Sequence, residues 1–429
     1  MTVLAETHAW LDRIAAEDDD LRAFIRVDRD AALTAAAAAD ERAATGQSLG
    51  PLDGLAVAVK DNMAVAGAAC TGGVAGLATA IAPTDSNAVA RLRDAGAVIL
   101  GGLNMHEAAL GGTTDNAVFG RCQNPLAPGY TPGGSSGGSG AAVAAGFVDL
   151  ALGSDTMGSV RLPAAYCGVY GIKPTPGLIG RSGFVYLSPA LDTIGPLASD
   201  PALLWPSLQA LAGSDPGDPE CVPPPAGWGQ TSDGRSLAGT RIGVPTQLGD
   251  VDCEGRVLDG LKRAKQALTD LGASVVPVDL SDWDPGRARL AGLIAIEAEG
   301  AVELADMIEQ PGAMTPTLQA MLRFGRDMPT AKLVRSLATV RAAGAACIRA
   351  LKDVDALLLP TAPQRAFPHD GPAPVNQADL TALANFAGCP AIAIPVASEG
   401  LPASVQIIGQ PWAEADLCSW AQHLGPALA

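Results

Sequence analysis

Residues 87–100 read Asn-Ala-Val-Ala-Arg-Leu-Arg-Asp-Ala-Gly-Ala-Val-Ile-Leu. Asn87–Asp94 reads as a helix and Ala97–Leu100 as a strand, a helix-to-strand unit of an α/β protein. The alternation continues outward. Leu55–Val59 is a short apolar run after Pro51 and Gly54, a buried strand that leads straight into Lys60 and Asp61. Ala31–Ala44 is Ala-rich, with Asp40, Glu41 and Arg42 marking a wet face, and reads as a surface helix. Beyond the unit, Gly111–Gly140 is turn-rich. Ala141–Gly146 reads as the first turns of a helix, Phe147–Leu152 as a buried strand and Gly153–Pro163 as a loop. Residues 212–236, rich in Pro, Gly, Asp and Ser, read as a surface connection. Arg241–Pro245, Gly255–Gly272 and Ala273–Val276 read as strand, helix, strand. Residues 287–351 are mostly helical. Ala356–Leu359, Ala391–Pro395 and Ala403–Ile408 are strand candidates, and Ala413–Leu424 closes as a helix. No internal repeat is present, and the interspersed elements predict an α/β fold.

Composition narrows the function. The chain has 429 residues, of which 17% are charged and 48% apolar, with a formal net charge of −17. So many apolar residues argue against an acidic disordered protein. The absence of a basic balance or stripe argues against direct nucleic-acid binding. A chain this long buries most of its apolar surface without staples. Aromatics are only 4%, so the interior is expected to be built from small aliphatic side chains. The eight cysteines are scattered without a CxxC pair and read as buried reduced thiols. The first twenty residues lack the pattern of a signal peptide, and no run of about 18 apolar residues occurs. The expected compartment is the cytoplasm, with no membrane association.

Three segments carry chemistry. The first is Gly133-Gly134-Ser135-Ser136-Gly137-Gly138-Ser139-Gly140. Such glycine density lets backbone approach a ligand closely. It lacks the Lys-Ser/Thr ending of a phosphate-binding loop and the strand that would precede one. It is short for a flexible linker and sits between structured segments, which leaves a loop that presents serine hydroxyls. It contains G-x-S-x-G, but the nucleophile elbow of α/β-hydrolases needs a strand before it and an Asp and a His after it. Only His8, His106, His369 and His423 exist. The second segment is Gly153-Ser154-Asp155-Thr156-Met157-Gly158-Ser159-Val160-Arg161. Successive N–H groups in a tight turn make an anion-binding nest. A serine at its end can attack a carbonyl while those N–H groups hold the oxyanion. The third is Lys60, at the end of a buried strand. Burial disfavours the ammonium, and a lysine lowered from about 10.4 towards neutrality becomes a good base. A Ser-Lys arrangement can replace Ser-His-Asp, which suits a chain so poor in histidine.

Together these motifs resemble the amidase signature family of serine hydrolases. Lys60 in Ala-Val-Lys-Asp-Asn, the Gly/Ser loop and the run from Gly153 to Ala164 carry the resemblance, in order and spacing. Asn104-Met105-His106-Glu107, Gly168–Thr175, Asp192–Pro196, Leu357–Pro363 and Val405–Gly409 add to it. It implies one domain over residues 1–429, with a signature core at about 55–200. It implies a large mixed twisted sheet with helices on both faces. The activity implied is hydrolysis of a small-molecule carboxylic amide, with no metal or cofactor and a possible homodimer. By this resemblance Ser159 is the nucleophile, Ser135 the bridging serine after a cis peptide, and Lys60 the base. Thr156, Met157, Gly158 and Ser159 form the oxyanion hole. Ser136 supports Lys60, and Asp155 pairs with Arg161, which is otherwise a candidate carboxylate anchor. Gly111–Asn116, Phe184–Leu187 and the helices after Arg287 are expected to line the acyl pocket.

Two positions depart from the family pattern. Met157 stands where Gly is usual, and Met does not readily take positive φ. It is expected to narrow the acyl pocket or, in the extreme, to leave an impaired binding or scaffold relative. Leu178 stands where the amidase (glutaminase) subunit of tRNA-dependent amidotransferases has Arg, so that activity is the alternative.

Overall fold

The computed structural model describes residues 2–229 and 235–429. Its thirteen strands are β1 (Phe24–Val27), β2 (Ala56–Lys60), β3 (Val98–Leu103), β4 (Asp115–Asn116), β5 (Gly120–Arg121), β6 (Leu150–Asp155), β7 (Tyr170–Lys173), β8 (Thr193–Ala198), β9 (Arg241–Pro245), β10 (Ser274–Val278), β11 (Ala356–Pro360), β12 (Ala391–Val396) and β13 (Ala403–Gly409). Eleven form one sheet in the order β1-β3-β2-β6-β8-β7-β12-β13-β11-β9-β10, while β4 and β5 make a small hairpin. The sheet is mixed. β2 runs parallel to β3 and β6, β9 parallel to β10 and β11, and the central pairs are antiparallel.

Strand alternation sorts the apolar side chains into two cores. Val57, Val59, Ile99, Leu150 and Leu152 face one side, with Trp205, Leu208 and Trp420 from covering helices. Ala56, Ala58, Val98, Leu100 and Ala151 face the other. There the helix Gly137–Ala144 brings Ala141, Ala142 and Val143 against a floor of alanines. The scarcity of aromatics and abundance of Ala and Gly thus have a local meaning: on this face backbone lies close to backbone.

That closeness explains the glycines of the loop. A methyl group at Gly138 would sit 2.4 Å from the Asn104 carbonyl oxygen and 2.6 Å from that of Ala23. Ser139 fits because its Oγ donates to the Leu152 carbonyl at 2.9 Å.

Several sequence-based boundaries shift. The strand expected at 147–152 is Leu150–Asp155, so Gly153, Ser154 and Asp155 belong to the sheet and pair with Gly195, Ile194 and Thr193. The polar side chains of Ser154 and Asp155 suggested a loop, but each finds a buried partner. Within the loop expected at 153–163 the helix Arg161–Cys167 has already begun. The helices Val3–Leu21 and Leu204–Leu211 and the strands β1, β7 and β8 were not expected. The connection expected at 212–236 is described except for 230–234, which lie outside the described residues. It is anchored rather than loose, since Asp215 binds Ser182 and Asp218 binds Arg181. Among the described residues no helix is long and apolar enough to cross a membrane.

Replacing Gly138 by Ala should destabilise the protein by about 1–3 kcal/mol, the usual cost of overpacking, because backbone oxygens cannot move aside as a side chain would. The lowered midpoint of urea unfolding measures it, and an unchanged midpoint would contradict the packing described.

Candidate active site

Parallel pairing of β2 and β6 aligns Val59 with Leu152, so both strands end on the same edge of the sheet. In open α/β sheets the crevice outside the carboxyl ends of strands is where ligands bind. The i, i+2 rule puts Lys60 on the face of Ala56 and Ala58, under the Gly/Ser segment. Lys60 is fully buried. Its Nζ lies 2.7 Å from Ser135 Oγ and 2.7 Å from Ser154 Oγ. Asn62 Nδ2 donates to the same Ser154 hydroxyl at 3.1 Å.

Burial pushes the Lys60 ammonium down to about 7, against the opposing pull of the Asp192 and Asp155 carboxylates. At neutral pH a sizeable share of this lysine is therefore an uncharged amine beside a serine hydroxyl. Burial likewise pushes His106 down to about 4, so it stays neutral where Lys60 titrates.

The peptide Gly134–Ser135 is cis. Ser136 makes no hydrogen bond with Lys60. Its Oγ donates to the Ser154 carbonyl at 3.1 Å and accepts from the Ser154 N–H at 3.2 Å. It therefore clamps the residue that touches Lys60, because the close helix leaves its side chain facing the β6 backbone. The Ser136 N–H also donates to the Ser159 carbonyl at 3.3 Å, which ties the two loops together.

The turn after β6 is built on Asp155. Its carboxylate accepts from the N–H groups of Gly158 at 2.6 Å and Val160 at 3.2 Å, from Arg161 Nε and Nη2 at 3.0 Å each, and from Asn385 Nδ2 at 2.9 Å. Burial would raise this carboxyl, but the Arg161 guanidinium outweighs it and holds it at about 2. Arg161 uses its other N–H groups on the Thr381 carbonyl, Gln406 Oε1 and Asn385 Oδ1 at 2.7–2.8 Å. A guanidinium has five donors and this one makes five bonds, so Arg161 has none left for a substrate carboxylate. Of the two roles open to it, partner of Asp155 is the one the geometry fits.

The same bonds correct the expected oxyanion set. The Gly158 N–H is taken by Asp155, whereas those of Thr156, Met157 and Ser159 have no protein acceptor among the described residues. Left-handed backbone falls at Gly158, with φ of 129°, and Met157 keeps a negative φ. The strain expected of a methionine in this turn is absent. Asp192, buried at the far side, accepts from Thr156 Oγ1 at 2.6 Å and from the Leu187 and Ser188 N–H groups at 2.9 Å. Burial raises this carboxyl, and those bonds and Lys60 oppose the rise.

Lys60 and Ser135 are buried, while Ser159 is partly exposed in a cavity of about 180 Å³. Leu110, Met157, Leu162, Leu293, Ile296 and Met321 give it apolar walls. Arg289, paired with Asp379 at 2.6 Å, stands among the lining residues with Gln377. Of the expected lining segments, Gly111, Gly112 and the helices after Arg287 contribute. Phe184–Leu187 does not line it: Phe184 is buried in the first core, and Leu187 packs in the apolar cluster of Ile296 without reaching the cavity. His369 binds the Cys122 carbonyl and His423 the Ser419 carbonyl, so neither serves a serine. Leu178 is fully buried in the first core.

Sequence reasoning gave no site role to Ser154, Asn62 or Asp192. Ser154 lies within a quoted motif, but its meeting with Lys60 depends on the β2–β6 pairing, which no local pattern encodes.

The comparisons with known proteins agree with this architecture. The family model described as Amidase matches residues 5–418. The A subunit of glutamyl-tRNA(Gln) amidotransferase from Synechococcus sp. (strain CC9311) is 37% identical over 94% of this chain and 89% of its own. The native peptide amidase of Stenotrophomonas maltophilia superposes with a TM-score of 0.86 at 32% identity, covering all of this chain and 94% of that one. A chain from a vestigial protein complex that reveals the evolutionary origins of an s-triazine catabolic enzyme superposes with a TM-score of 0.91 at 34% identity, covering 99% and 94%. The chain belongs to the amidase family, and its fold and class are those of a hydrolase acting on C–N bonds.

A role for Lys60 as the base predicts the pH behaviour. A base must be uncharged to accept a proton, so kcat/KM for an amide should rise with pH through one ionisation near 7, the value burial gives Lys60. Below it the rate should fall about tenfold per pH unit. Asp192 raises Lys60, so Asp192→Asn should move the ionisation to lower pH. A flat profile across this range, or a shift to higher pH in Asp192→Asn, would contradict the electrostatics.

Proposed function

We propose that this chain hydrolyses the carboxylic amide of a small molecule through an acyl-enzyme on Ser159. The observation that carries the reading is the buried Lys60 Nζ, 2.7 Å from Ser135 Oγ, beneath a cavity into which Ser159 opens. Uncharged Lys60 takes the Ser135 hydroxyl proton as Ser135 takes that of Ser159. The Ser159 Oγ bonds to the amide carbon, and the carbonyl electrons move onto oxygen. The Thr156, Met157 and Ser159 N–H groups receive that charge, a form of stabilisation worth about 3–4 kcal/mol per donor in other hydrolases. As the C–N bond breaks, the proton held by Lys60 returns through Ser135 to the leaving nitrogen. Water, deprotonated along the same path, then attacks the ester, and the acid leaves with Ser159 restored. No cofactor enters this scheme, and the acidic chain needs no direct contact with nucleic acid.

The second reading is a glutaminase subunit of a tRNA-dependent amidotransferase. It is favoured by the 37% identity to the Synechococcus amidotransferase protein across most of both chains. Against it stand the mostly apolar walls of the cavity, where the guanidinium of Arg289 is already paired with Asp379, and Leu178 sealed in the core. The reading as an impaired binding relative rested on positive φ at Met157, and that conformation falls to Gly158.

Ser159→Ala should abolish amide hydrolysis with the fold intact by circular dichroism. Lys60→Ala should lower kcat by at least about 10³-fold, since members of such a relay act as a unit. Full activity in Ser159→Ala would refute the assignment. Glutamine-dependent ammonia release that appears only with a co-purified partner would favour the second reading over the first.

A further inference from the structure

Met157 belongs to the turn that presents Ser159, and its side chain has a counterpart across the cavity. Gly292 lies on the helix Pro285–Glu303, between the lining residues Arg289 and Leu293. A methyl group at Gly292 would sit 2.6 Å from Met157 Sδ and 2.5 Å from Phe386 Cζ. The helix thus lacks a side chain where the thioether arrives, and the methionine fills the notch. Met157 also packs in the apolar cluster with Leu293, Met321 and Ile296. A flexible thioether is suited to closing an irregular gap of this kind.

Resting on the amidase reading above, we propose that Met157, seated over Gly292, is the size gate of the acyl pocket. It restricts the protein to amides of short aliphatic or single-ring acids. Two observations set the class. The remaining space of about 180 Å³ is close to the roughly 150 Å³ that holds one benzene in an apolar protein cavity. The walls beside Ser159 are mostly apolar, and the one charged side chain among the lining residues, Arg289, is held by Asp379, so they favour an uncharged acyl group. The acyl half is the one that stays on Ser159 through both chemical steps, while the amine half departs after the first. A wall built on the turn of Ser159 therefore reads the acyl side. Removing the thioether should open the notch towards Phe386 and admit a second ring.

The test measures covalent labelling of Ser159, which can be followed whatever the natural substrate is. Labelling rates are compared for a fluorophosphonate with an ethyl group and one with a naphthyl group, in the native protein, Met157→Ala, Met157→Gly and Met157→Leu. The native protein should prefer the small probe. Met157→Ala and Met157→Gly should raise the naphthyl-to-ethyl ratio by about 10–200-fold, the discrimination that a small change in an apolar pocket gives. Met157→Leu, similar in bulk, should keep the native ratio. A merely structural role for Met157 would slow both probes alike, so a ratio unmoved in Met157→Ala and Met157→Gly overturns the gate and leaves the amidase reading standing. Failure of the ethyl probe to label Ser159 in the native protein overturns that reading, and the gate with it. Kcat/KM for propionamide, benzamide and 2-naphthamide in the same variants should follow the same order.

Discussion

The site hangs on one buried ion pair. Asp155 ends a central strand and Arg161 opens the next helix, and both are fully buried. Between them they hold the N–H groups of the turn, the Thr381–Asn385 segment and Gln406 of β13. A buried pair of this kind need not add net stability, yet deleting one partner strands a charge at a cost of about 3–5 kcal/mol. Here it also sets geometry. By fixing Gly158 and Val160, it leaves the N–H groups of Thr156, Met157 and Ser159, which line the cavity, without a protein acceptor among the described residues. The turn is therefore a consequence of charge placement more than of local backbone preference.

Two lysines are wholly buried and illustrate how surroundings divide labour. Burial pushes Lys173 down to about 8, but its Nζ donates to the Pro174 carbonyl at 2.8 Å and meets no hydroxyl. Lys60 goes lower and meets two serines. The difference lies less in burial, which is complete for both, than in what each amine faces. A peptide carbonyl can only accept a hydrogen bond, whereas a serine hydroxyl can surrender a proton.

Much of this architecture was legible in the chain because the chemistry is written in contiguous runs. The helix Asn87–Asp94, the strand Arg241–Pro245 and the last three strands follow directly from apolar periodicity. Lys60, Ser135 and Ser159 stand out because each sits in a segment whose composition is otherwise hard to explain. What resisted reading has a common cause. β7, β8 and the end of β6 are strands whose pattern is set by distant partners, with Gly, Pro, Ser and Asp tolerated because the sheet supplies neighbours. Ser154 meets Lys60, and Asn62 meets Ser154, only after two strands far apart in sequence pair in parallel. The Gly158 N–H could not be assigned until the direction of the Asp155 side chain was known.

The close packing of the Gly137–Ala144 helix on its alanine floor has a consequence for how such a protein can change over generations. Nearly every position around Lys60 and Ser135 is held by backbone contact or by a hydroxyl with a fixed partner, so that half of the site has little freedom to drift. The opposite wall comes from helices outside the sheet, through Leu293, Ile296 and Met321, and these side chains can be exchanged without disturbing the strands. The site is thus divided into a constrained half around Lys60 and Ser135 and a half, lined by helix side chains, that is freer to change. New specificities within this architecture are expected to arise by exchange in the second half and at Met157, which packs against it.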